Sequence, residues 1–169
     1  SRALRDVTDA LGCTYTAAAV GEVNVVTEMR RTGAVIGGEG NGGVIYPAIH
    51  AGRDALVGVA LFLSHLAHEK VSVSELKKRY PAYAIAKNKV QLTPGIDVDA
   101  ILEAIKKKYS NDKITDIDGV KIDFPDSWVH LRKSNTEPII RIYSEAHSMS
   151  EAQKLADDII SLVNEITKK

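Results

Sequence analysis

Cysteine is almost missing from this chain, since Cys13 is the only one in 169 residues. A single cysteine cannot form an intramolecular disulfide, so a disulfide-stabilised fold is excluded. This cysteine usage fits a reducing compartment, and we therefore expect a cytoplasmic protein. We expect Cys13 itself to be a small core residue, because an isolated free cysteine more often packs than reacts.

An excess of charge is missing as well. Lys plus Arg and Asp plus Glu number 22 each, so the formal net charge is zero. Proteins that bind nucleic acid or membrane surfaces usually carry a basic excess or a basic patch. The balance therefore argues against both kinds of partner.

Long hydrophobic runs and targeting segments are also missing. The longest apolar run, Ala55–Leu63, is far shorter than the roughly 20 residues that span a bilayer. The amino terminus lacks the charged-then-apolar pattern of a signal peptide. It begins at Ser1 without an initiator Met, as an excised fragment would. With 44% hydrophobic and 26% charged residues, the sequence predicts a globular protein with no membrane partner.

A polar connection stands out among the features that are present. Residues 132–138 join two predicted strands, Trp128–Leu131 and Ile139–Tyr143. Arg132 offers a planar guanidinium that matches phosphate oxygens, and hydroxyl, amide and backbone N–H groups of the loop can complete an anion site. Arg141 could add a second cation. The residues alone leave two interpretations open: an anion-binding loop or an ordinary polar turn.

A glycine-rich segment, Gly37–Gly43, holds five glycines in seven positions. Glycine permits close approach of backbone to a ligand, and it leaves Glu39 and Asn41 as the only side chains that can carry recognition. A carboxylate beside a carboxamide suits two neighbouring hydroxyls. The segment lacks the Rossmann spacing and the Lys-Ser/Thr ending of a P-loop. On residues alone, a flexible hairpin between Ile36 and Val44 is the alternative interpretation.

Alternating helix and strand patterns divide the chain into two predicted domains. Residues 1–80 are predicted to form a mixed α/β layer domain, residues 81–87 a linker, and residues 88–169 a small α+β domain. In that second domain we expect an antiparallel sheet with helices on one face. Asp118-Gly119 between alternating apolar residues predicts a hairpin. Ser148 with Glu151 predicts the start of a final helix, and the apolar stripe of 152–166 predicts its buried face.

Three apolar segments of the first domain are expected to be buried. Tyr15–Val20 and Ala34–Ile36 are predicted to be short buried strands. Arg53–Ala67 is apolar nearly all round, which predicts a buried helix. Ser72 with Glu75 forms a capping-box pattern, which predicts the start of a further short helix.

The two polar loops resemble those of one enzyme family. Residues 132–138, with Arg141 following, resemble the phosphate-binding loop of the α-D-phosphohexomutases, the phosphoglucomutase and phosphomannomutase family. Gly37–Gly43 lies upstream in the expected order and resembles the sugar-binding loop of that family. The resemblance runs along the whole chain but covers only the C-terminal part of a family member. Residues 1–80 resemble most of the third domain of the family, with its first strand expected to be missing, and residues 88–169 resemble the fourth.

The resemblance implies a reaction. The family transfers a phosphoryl group between the 1- and 6-positions of a hexose through a hexose 1,6-bisphosphate intermediate. A phosphoserine and a Mg²⁺-binding aspartate loop lie in its first two domains. Neither motif occurs here, so we expect no catalytic residue and no metal ligand in this chain. We expect the upstream catalytic domains of the same polypeptide as its partner, and no activity from this chain alone.

The resemblance also implies where a phosphorylated hexose is bound. Glu39 and Asn41 would contact the 3- and 4-hydroxyls of the sugar. The distal phosphate would be held by Arg132, Ser134, Asn135, Thr136 and Arg141.

Some positions depart from the family pattern. Many members carry Ser and His where this chain has Asn41 and Gly43, and Glu22 stands where some bacterial members carry a His, so it is assigned no role. Asn135 is Gly in many phosphoglucosamine mutases, which favours glucose or mannose phosphates as substrates. The alternatives are a phosphoglucosamine mutase fragment, a non-catalytic phosphosugar-binding module, or an α+β interaction module without a ligand.

Overall fold

The computed structural model describes residues 1–93, 95–134 and 137–167. The chain divides into two compact units, Ser1–Ala82 and Tyr83–Lys169. Each unit combines helices with an antiparallel sheet. This confirms the predicted order of an α/β region followed by an α+β domain. Within the described ranges, no helix is both long enough and apolar enough to cross a membrane.

The first unit contains a three-stranded antiparallel sheet with the order β1-β2-β3. Its strands are β1 (Gly37–Gly38), β2 (Val44–Tyr46) and β3 (His50–Arg53). Its helices are α1 (Arg2–Ala10), α2 (Glu22–Thr32), α3 (Ala55–Glu69) and α4 (Val73–Lys77). The glycine-rich segment forms the β1–β2 hairpin, because Gly38 pairs with Val44 across it.

Side-chain caps begin two of these helices. The Asp54 carboxylate accepts a hydrogen bond from the Val57 N–H at 3.0 Å and begins α3. Ser72 and Glu75 form the predicted capping box, each side chain accepting from the backbone N–H of the other at 3.3 and 2.9 Å. Because each cap satisfies backbone donors that the first helical turn leaves unpaired, the helix starts follow from local sequence.

The first unit contradicts the two strand predictions. Tyr15–Val20 is not a strand, because an extended segment needs a paired neighbouring backbone and no described strand lies beside it. The strand expected at Ala34–Ile36 forms instead at Gly37–Gly38, where the partner residues of β2 are available. Val35 and Ile36 are exposed.

Burial in the first unit is also lower than predicted. Only Val57 is buried in α3, and Leu56 on its outer side is 83% exposed. The helix packs on its sheet where Gly58 meets the side chain of Val44, and most of its other apolar residues are exposed. Cys13 is exposed rather than part of a core.

The second unit contains a five-stranded antiparallel sheet with the order β4-β8-β7-β6-β5. Its strands are β4 (Ala84–Gln91), β5 (Lys113–Thr115), β6 (Val120–Asp123), β7 (Trp128–Lys133) and β8 (Ile139–Ala146). Its helices are α5 (Val98–Lys108) and α6 (Met149–Thr167). The Asp118-Gly119 pair lies in the turn between β5 and β6, as the sequence predicted.

Both helices of this unit pack on one face of the sheet. Inward residues such as Leu131, Ile140 and Ile142 share a buried cluster with Ile105 of α5 and Ile159 of α6. Residues that alternate with them along each strand therefore lie on the opposite, helix-free face. This confirms the predicted arrangement and leaves one sheet face open for polar side chains.

The boundary between the units differs from the predicted linker at residues 81–87. The division lies between Ala82 and Tyr83, and β4 already begins at Ala84, which pairs with Ala146 of β8. Pro81 and the change in composition after it predict a linker that includes residues 84–87. Pairing with β8 extends the strand backwards into that segment.

Candidate functional site

The two arginines predicted to bind phosphate meet across neighbouring strands. Arg132 of β7 lies directly opposite Arg141 of β8 in the sheet register. Directly opposed residues project to the same face, so both guanidinium groups lie on the helix-free face. Their side chains are 28% and 38% exposed, which leaves both of them accessible to a solute.

Asp118 orients Arg132 from the hairpin turn between β5 and β6. Its carboxylate lies 3.2 Å from a terminal guanidinium nitrogen of Arg132. The backbone carbonyl of Asp118 also accepts a hydrogen bond from Nε2 of His130 at 2.5 Å. A carbonyl can only accept, so the proton of His130 lies on Nε2. The turn therefore fixes two neighbouring side chains of the open face.

Burial lowers the pKa of His130 below its ordinary value of 6.5. The positive charges of Arg132 and Lys121 lower that pKa further, while the bond to Asp118 opposes the shift. His130 is therefore neutral near pH 7 and adds no charge to the arginine pair. A half-buried, neutral His130 therefore packs beside Arg132 and does not act as a third cation.

The loop after Arg132 is closed by backbone hydrogen bonds. The Ser134 N–H donates to the carbonyl of Ile139 at 3.1 Å, and the Glu137 carboxylate lies 3.9 Å from the guanidinium of Arg141. Ser134 thus lies at the start of the loop as predicted. Asn135 and Thr136, also predicted to bind phosphate, lie outside the described residues.

Lys133 points away from the arginine pair. Its ammonium nitrogen lies 3.0 Å from a carboxylate oxygen of Asp99 in α5, on the helix side of the sheet. Alternation along β7 explains the difference, because neighbouring residues of a strand project to opposite faces. Arg132 and Lys133 are therefore a matched pair, adjacent in sequence but separated by the sheet.

One basic residue in this row was not predicted as part of the site. Lys89 of β4 lies directly opposite Arg141, so Lys89, Arg141 and Arg132 form a lateral row across three strands. Lys89 is exposed. The alternating pattern of β4 signals which face Lys89 occupies, but only the β4–β8 register shows that it lies beside Arg141.

The structure brings the two predicted sugar-binding side chains together in the first unit. The Asn41 amide nitrogen lies 3.5 Å from the Glu39 carboxylate. The Asn41 side-chain oxygen accepts from the Gly43 N–H at 3.0 Å, and the Glu39 N–H donates to the Gly43 carbonyl at 3.0 Å. The hairpin is therefore ordered by its own hydrogen bonds, and it presents a carboxylate and a carboxamide side by side.

Two further charged residues adjoin this hairpin, and sequence reasoning missed both. The Glu22 carboxylate accepts from the Arg53 guanidinium at 2.6 Å and from the Arg53 N–H at 3.0 Å. These bonds lower the pKa of Glu22 below its ordinary value of 4.5, the backbone bond being the largest cause. Arg53 also lies 3.8 Å from Glu39. The partners are 31 residues apart, so no local spacing could have indicated the pair.

The described part of the chain contains no set of side chains that could bind a metal ion. Among these residues, no group of three or more His, Cys, Asp or Glu side chains is placed to hold a metal ion. The Mg²⁺ that the family resemblance implies does not fit any cluster seen here. The described residues offer two candidate sites, one in each unit: a polar hairpin in the first unit and a row of cations on the open sheet face of the second.

The sequence matches two family models. Residues 1–83 match the α/β/α domain III of phosphoglucomutase/phosphomannomutase, and residues 70–162 match the C-terminal domain of the same family. The chain therefore belongs to the phosphoglucomutase/phosphomannomutase family. It corresponds to the third and the C-terminal domains of that family.

Individual relatives carry two kinds of name. A phosphoglucosamine/phosphogalactosamine mutase of Sulfurisphaera tokodaii is 42% identical over 85% of this chain and 32% of its own length. A phosphoglucomutase/phosphomannomutase of Thermococcus kodakarensis is 36% identical over 99% of this chain and 37% of its own length. The chain thus spans about a third of the curated relatives that it matches.

A solved structure shows the same architecture. A phosphoglucomutase/phosphomannomutase family protein of Burkholderia thailandensis superposes with a TM-score of 0.76 at 25% identity. The match covers 97% of this chain and 35% of that protein. Both described units therefore belong to the fold of this family.

Proposed function

We propose that this chain is the substrate-binding C-terminal part of a phosphohexomutase, which interconverts hexose 1-phosphate and hexose 6-phosphate through a hexose 1,6-bisphosphate. Glu39 and Asn41 bind sugar hydroxyls. The distal phosphate is bound by Arg132, Ser134, Asn135, Thr136 and Arg141. Family membership and the chemistry of the two loops support this assignment.

The observation that carries the proposal is the register of Arg132 against Arg141. Like charges directly opposite in a sheet repel and destabilise the pair. Asp118 and Glu137 offset part of this repulsion from the flanking turns, yet both guanidinium groups remain accessible. A phosphate between them converts the repulsion into two charge-assisted interactions, with the Ser134 end of the loop beside them.

The chemical contribution of these groups is positioning. Phosphoryl transfer depends mainly on alignment and on stabilisation of charge, so a fixed distal phosphate orients the reacting end of the sugar. A carboxylate and a carboxamide can accept and donate to hydroxyls in both orientations of the ring. The phosphoryl carrier and the Mg²⁺ ligands are assigned to upstream domains of the same polypeptide, and we expect no turnover by this chain alone.

Two substrate classes compete. Asn135 favours a glucose or mannose phosphate, and the name of the T. kodakarensis relative agrees with that choice. The name of the S. tokodaii relative supports an amino sugar phosphate instead. Comparison of mannose 1-phosphate with glucosamine 1-phosphate in the binding experiment below distinguishes them. The expected cytoplasmic location stays a prediction that the single cysteine supports.

The test is a titration of the ¹⁵N-labelled chain with inorganic phosphate, followed by NMR. We expect shifts at Ser134, Ile139 and Arg141 in the wild type. They should be absent in Arg132→Ala, and the dispersion of the remaining spectrum should show that the fold is intact. Affinity should be weak, because exposed ion pairs contribute only about 0–1 kcal/mol each.

Lys133→Ala is the matched control, since Lys133 is adjacent in sequence but bonded to Asp99 on the other face. It should retain the phosphate-dependent shifts. A wild-type loop without such shifts, or an Arg132→Ala chain that is unfolded, would favour the interpretation of a structural turn. Equal losses in both variants would indicate a non-specific charge effect.

A further inference from the structure

We propose that Arg53 is a positioning residue for the Glu39 carboxylate and that Glu22 holds Arg53 in place. Glu22, Arg53 and Glu39 then act as one charged chain that fixes the sugar-recognising group before substrate arrives. The proposal rests on the proposed function of the Gly37–Gly43 hairpin. It assigns a role to two residues that lie outside both recognised loops.

The first link joins the end of β3 to the start of α2. Glu22 accepts from both the side chain and the backbone N–H of Arg53, at 2.6 and 3.0 Å. These two hydrogen bonds to one carboxylate restrain Arg53 both at its backbone and at its guanidinium group. The guanidinium is therefore held in one direction, although its side chain is 49% exposed.

The second link joins Arg53 to the hairpin. A terminal guanidinium nitrogen of Arg53 lies 3.8 Å from Glu39, whose side chain is only 16% exposed. Asn41 contacts the same Glu39 oxygen at 3.5 Å from the hairpin itself. A carboxylate restrained by two neighbours loses less conformational freedom on binding, so more of its interaction with a hydroxyl appears as affinity.

The third observation explains why position 43 is glycine. A Cβ at Gly43 would lie 2.5 Å from Cδ and 3.0 Å from Cγ of Arg53. The stem of Arg53 therefore occupies the space that a side chain at this position would need. At Gly40, in the same hairpin, a Cβ would meet no atom within 4 Å. The two glycines thus offer the same substitution with and without a collision.

The experiment compares five chains by NMR titration with mannose 1-phosphate and glucosamine 1-phosphate, following the amides of the hairpin. These chains are the wild type, Glu39→Gln, Arg53→Gln, Gly43→Ala and Gly40→Ala. We expect Arg53→Gln and Gly43→Ala to weaken binding of whichever sugar phosphate binds, by about two- to fivefold, since exposed ion pairs contribute up to about 1 kcal/mol. Gly40→Ala is the control for the Glu22 titration described below, because a Cβ at this position meets no atom of Arg53. Arg53→Lys, which retains charge but not the forked geometry, should recover part of the loss.

A second readout is the titration of the Glu22 carboxyl carbon. Its midpoint should lie below 4.5 in the wild type, because Arg53 lowers the pKa of Glu22. It should move upward in Arg53→Gln and in Gly43→Ala, but not in Gly40→Ala. This readout tests the first link without any ligand.

The outcomes separate the two proposals. If Arg53→Gln lowered only the thermal stability and left sugar affinity unchanged, while Glu39→Gln lost binding, the positioning role would be wrong and the proposed function would stand. If neither sugar phosphate shifted the wild-type hairpin, both proposals would be contradicted. Should Arg53→Gln fail to fold, Gly43→Ala provides the test with the charges left in place: a shifted Glu22 midpoint with unchanged sugar affinity would contradict the positioning role.

Discussion

The two units of this chain contain similar proportions of apolar sequence but bury it very differently. Among the described residues, four apolar side chains are buried in the first unit and twenty in the second. Helices α3 and α6 show the contrast most directly. In α3 only Val57 is buried, whereas α6 buries five side chains.

The difference teaches that an apolar helix is not by itself a buried helix. Helix α6 carries its apolar residues on one stripe, and a five-stranded sheet covers that stripe. Helix α3 is apolar on several sides, and its three-stranded sheet covers only one of them. Burial depends on the area that the neighbouring layer offers, so stability should be concentrated in the second unit.

The largest expected effect on stability comes from comparing a Leu→Ala substitution in each unit. Leu131→Ala removes a fully buried side chain of β7 and should cost about 2–5 kcal/mol in the free energy of unfolding. Leu56→Ala removes a side chain that is 83% exposed and should change that energy by no more than about 0.5 kcal/mol. Urea unfolding followed by the fluorescence of Trp128, the only tryptophan, reports the first, and hydrogen exchange reports the second. Equal effects would show that α3 is covered in solution.

Two glycines with similar backbone angles give the next test. Gly119 has φ of 81° and Gly12 has φ of 65°, so alanine is strained at both, by about 1–3 kcal/mol for this region of backbone angles. A Cβ at Gly119 would also lie 2.2 Å from the Leu131 carbonyl, whereas one at Gly12 would meet nothing. Gly119→Ala should therefore destabilise its unit clearly more than Gly12→Ala does. A comparable loss in thermal midpoint for both would mean that backbone strain alone decides.

The two capping boxes allow a smaller comparison. Ser72→Ala and Ser148→Ala each remove a hydroxyl that accepts from the backbone N–H three residues on, a change that typically costs about 0.5–2 kcal/mol. Helix α6 packs into the core, so removal of its cap should lower the stability of the whole second unit. Helix α4 is only five residues long, so removal of its cap should appear only as faster hydrogen exchange within that helix. Global destabilisation by Ser72→Ala would contradict this division.

The smallest expected effect is a difference in pH dependence. Burial lowers the pKa of His130 in the folded second unit. Below pH 6.5, its ordinary pKa, the unfolded chain therefore binds a proton at His130 more readily than the folded unit does. Its stability should fall as pH drops through 6.5, and His130→Gln should remove that dependence. In the first unit the pKa of Glu22 is lowered, so the stabilisation by its ion pair is lost only when the pH falls below about 4.5. Urea midpoints of both units between pH 7.5 and 3.5 would show whether the two windows differ.

The sequence by itself determined the features that depend on local chemistry. Capping patterns at Ser72 and Ser148 and the turn at Asp118-Gly119 follow from a few neighbouring residues, and the structure contains all three. The sequence also predicted the strand Trp128–Leu131, although only the structure extends it through Arg132 and Lys133 and so places these two residues on opposite faces. For Glu39 and Asn41 the residues alone left a flexible hairpin open, and the resemblance to the family's sugar-binding loop was needed to propose them as a recognising pair.

Only the tertiary structure decided what depends on distant partners. The register of β4 and β7 on β8 placed Lys89 and Arg132 beside Arg141, and the packing of β3 on α2 joined Arg53 to Glu22 across 31 residues. Periodicity shows which face a residue prefers, but it does not show which element covers that face. For that reason the sequence predicted a buried α3 and a strand at Tyr15–Val20, whereas the described chain provides neither a second covering layer nor a pairing strand.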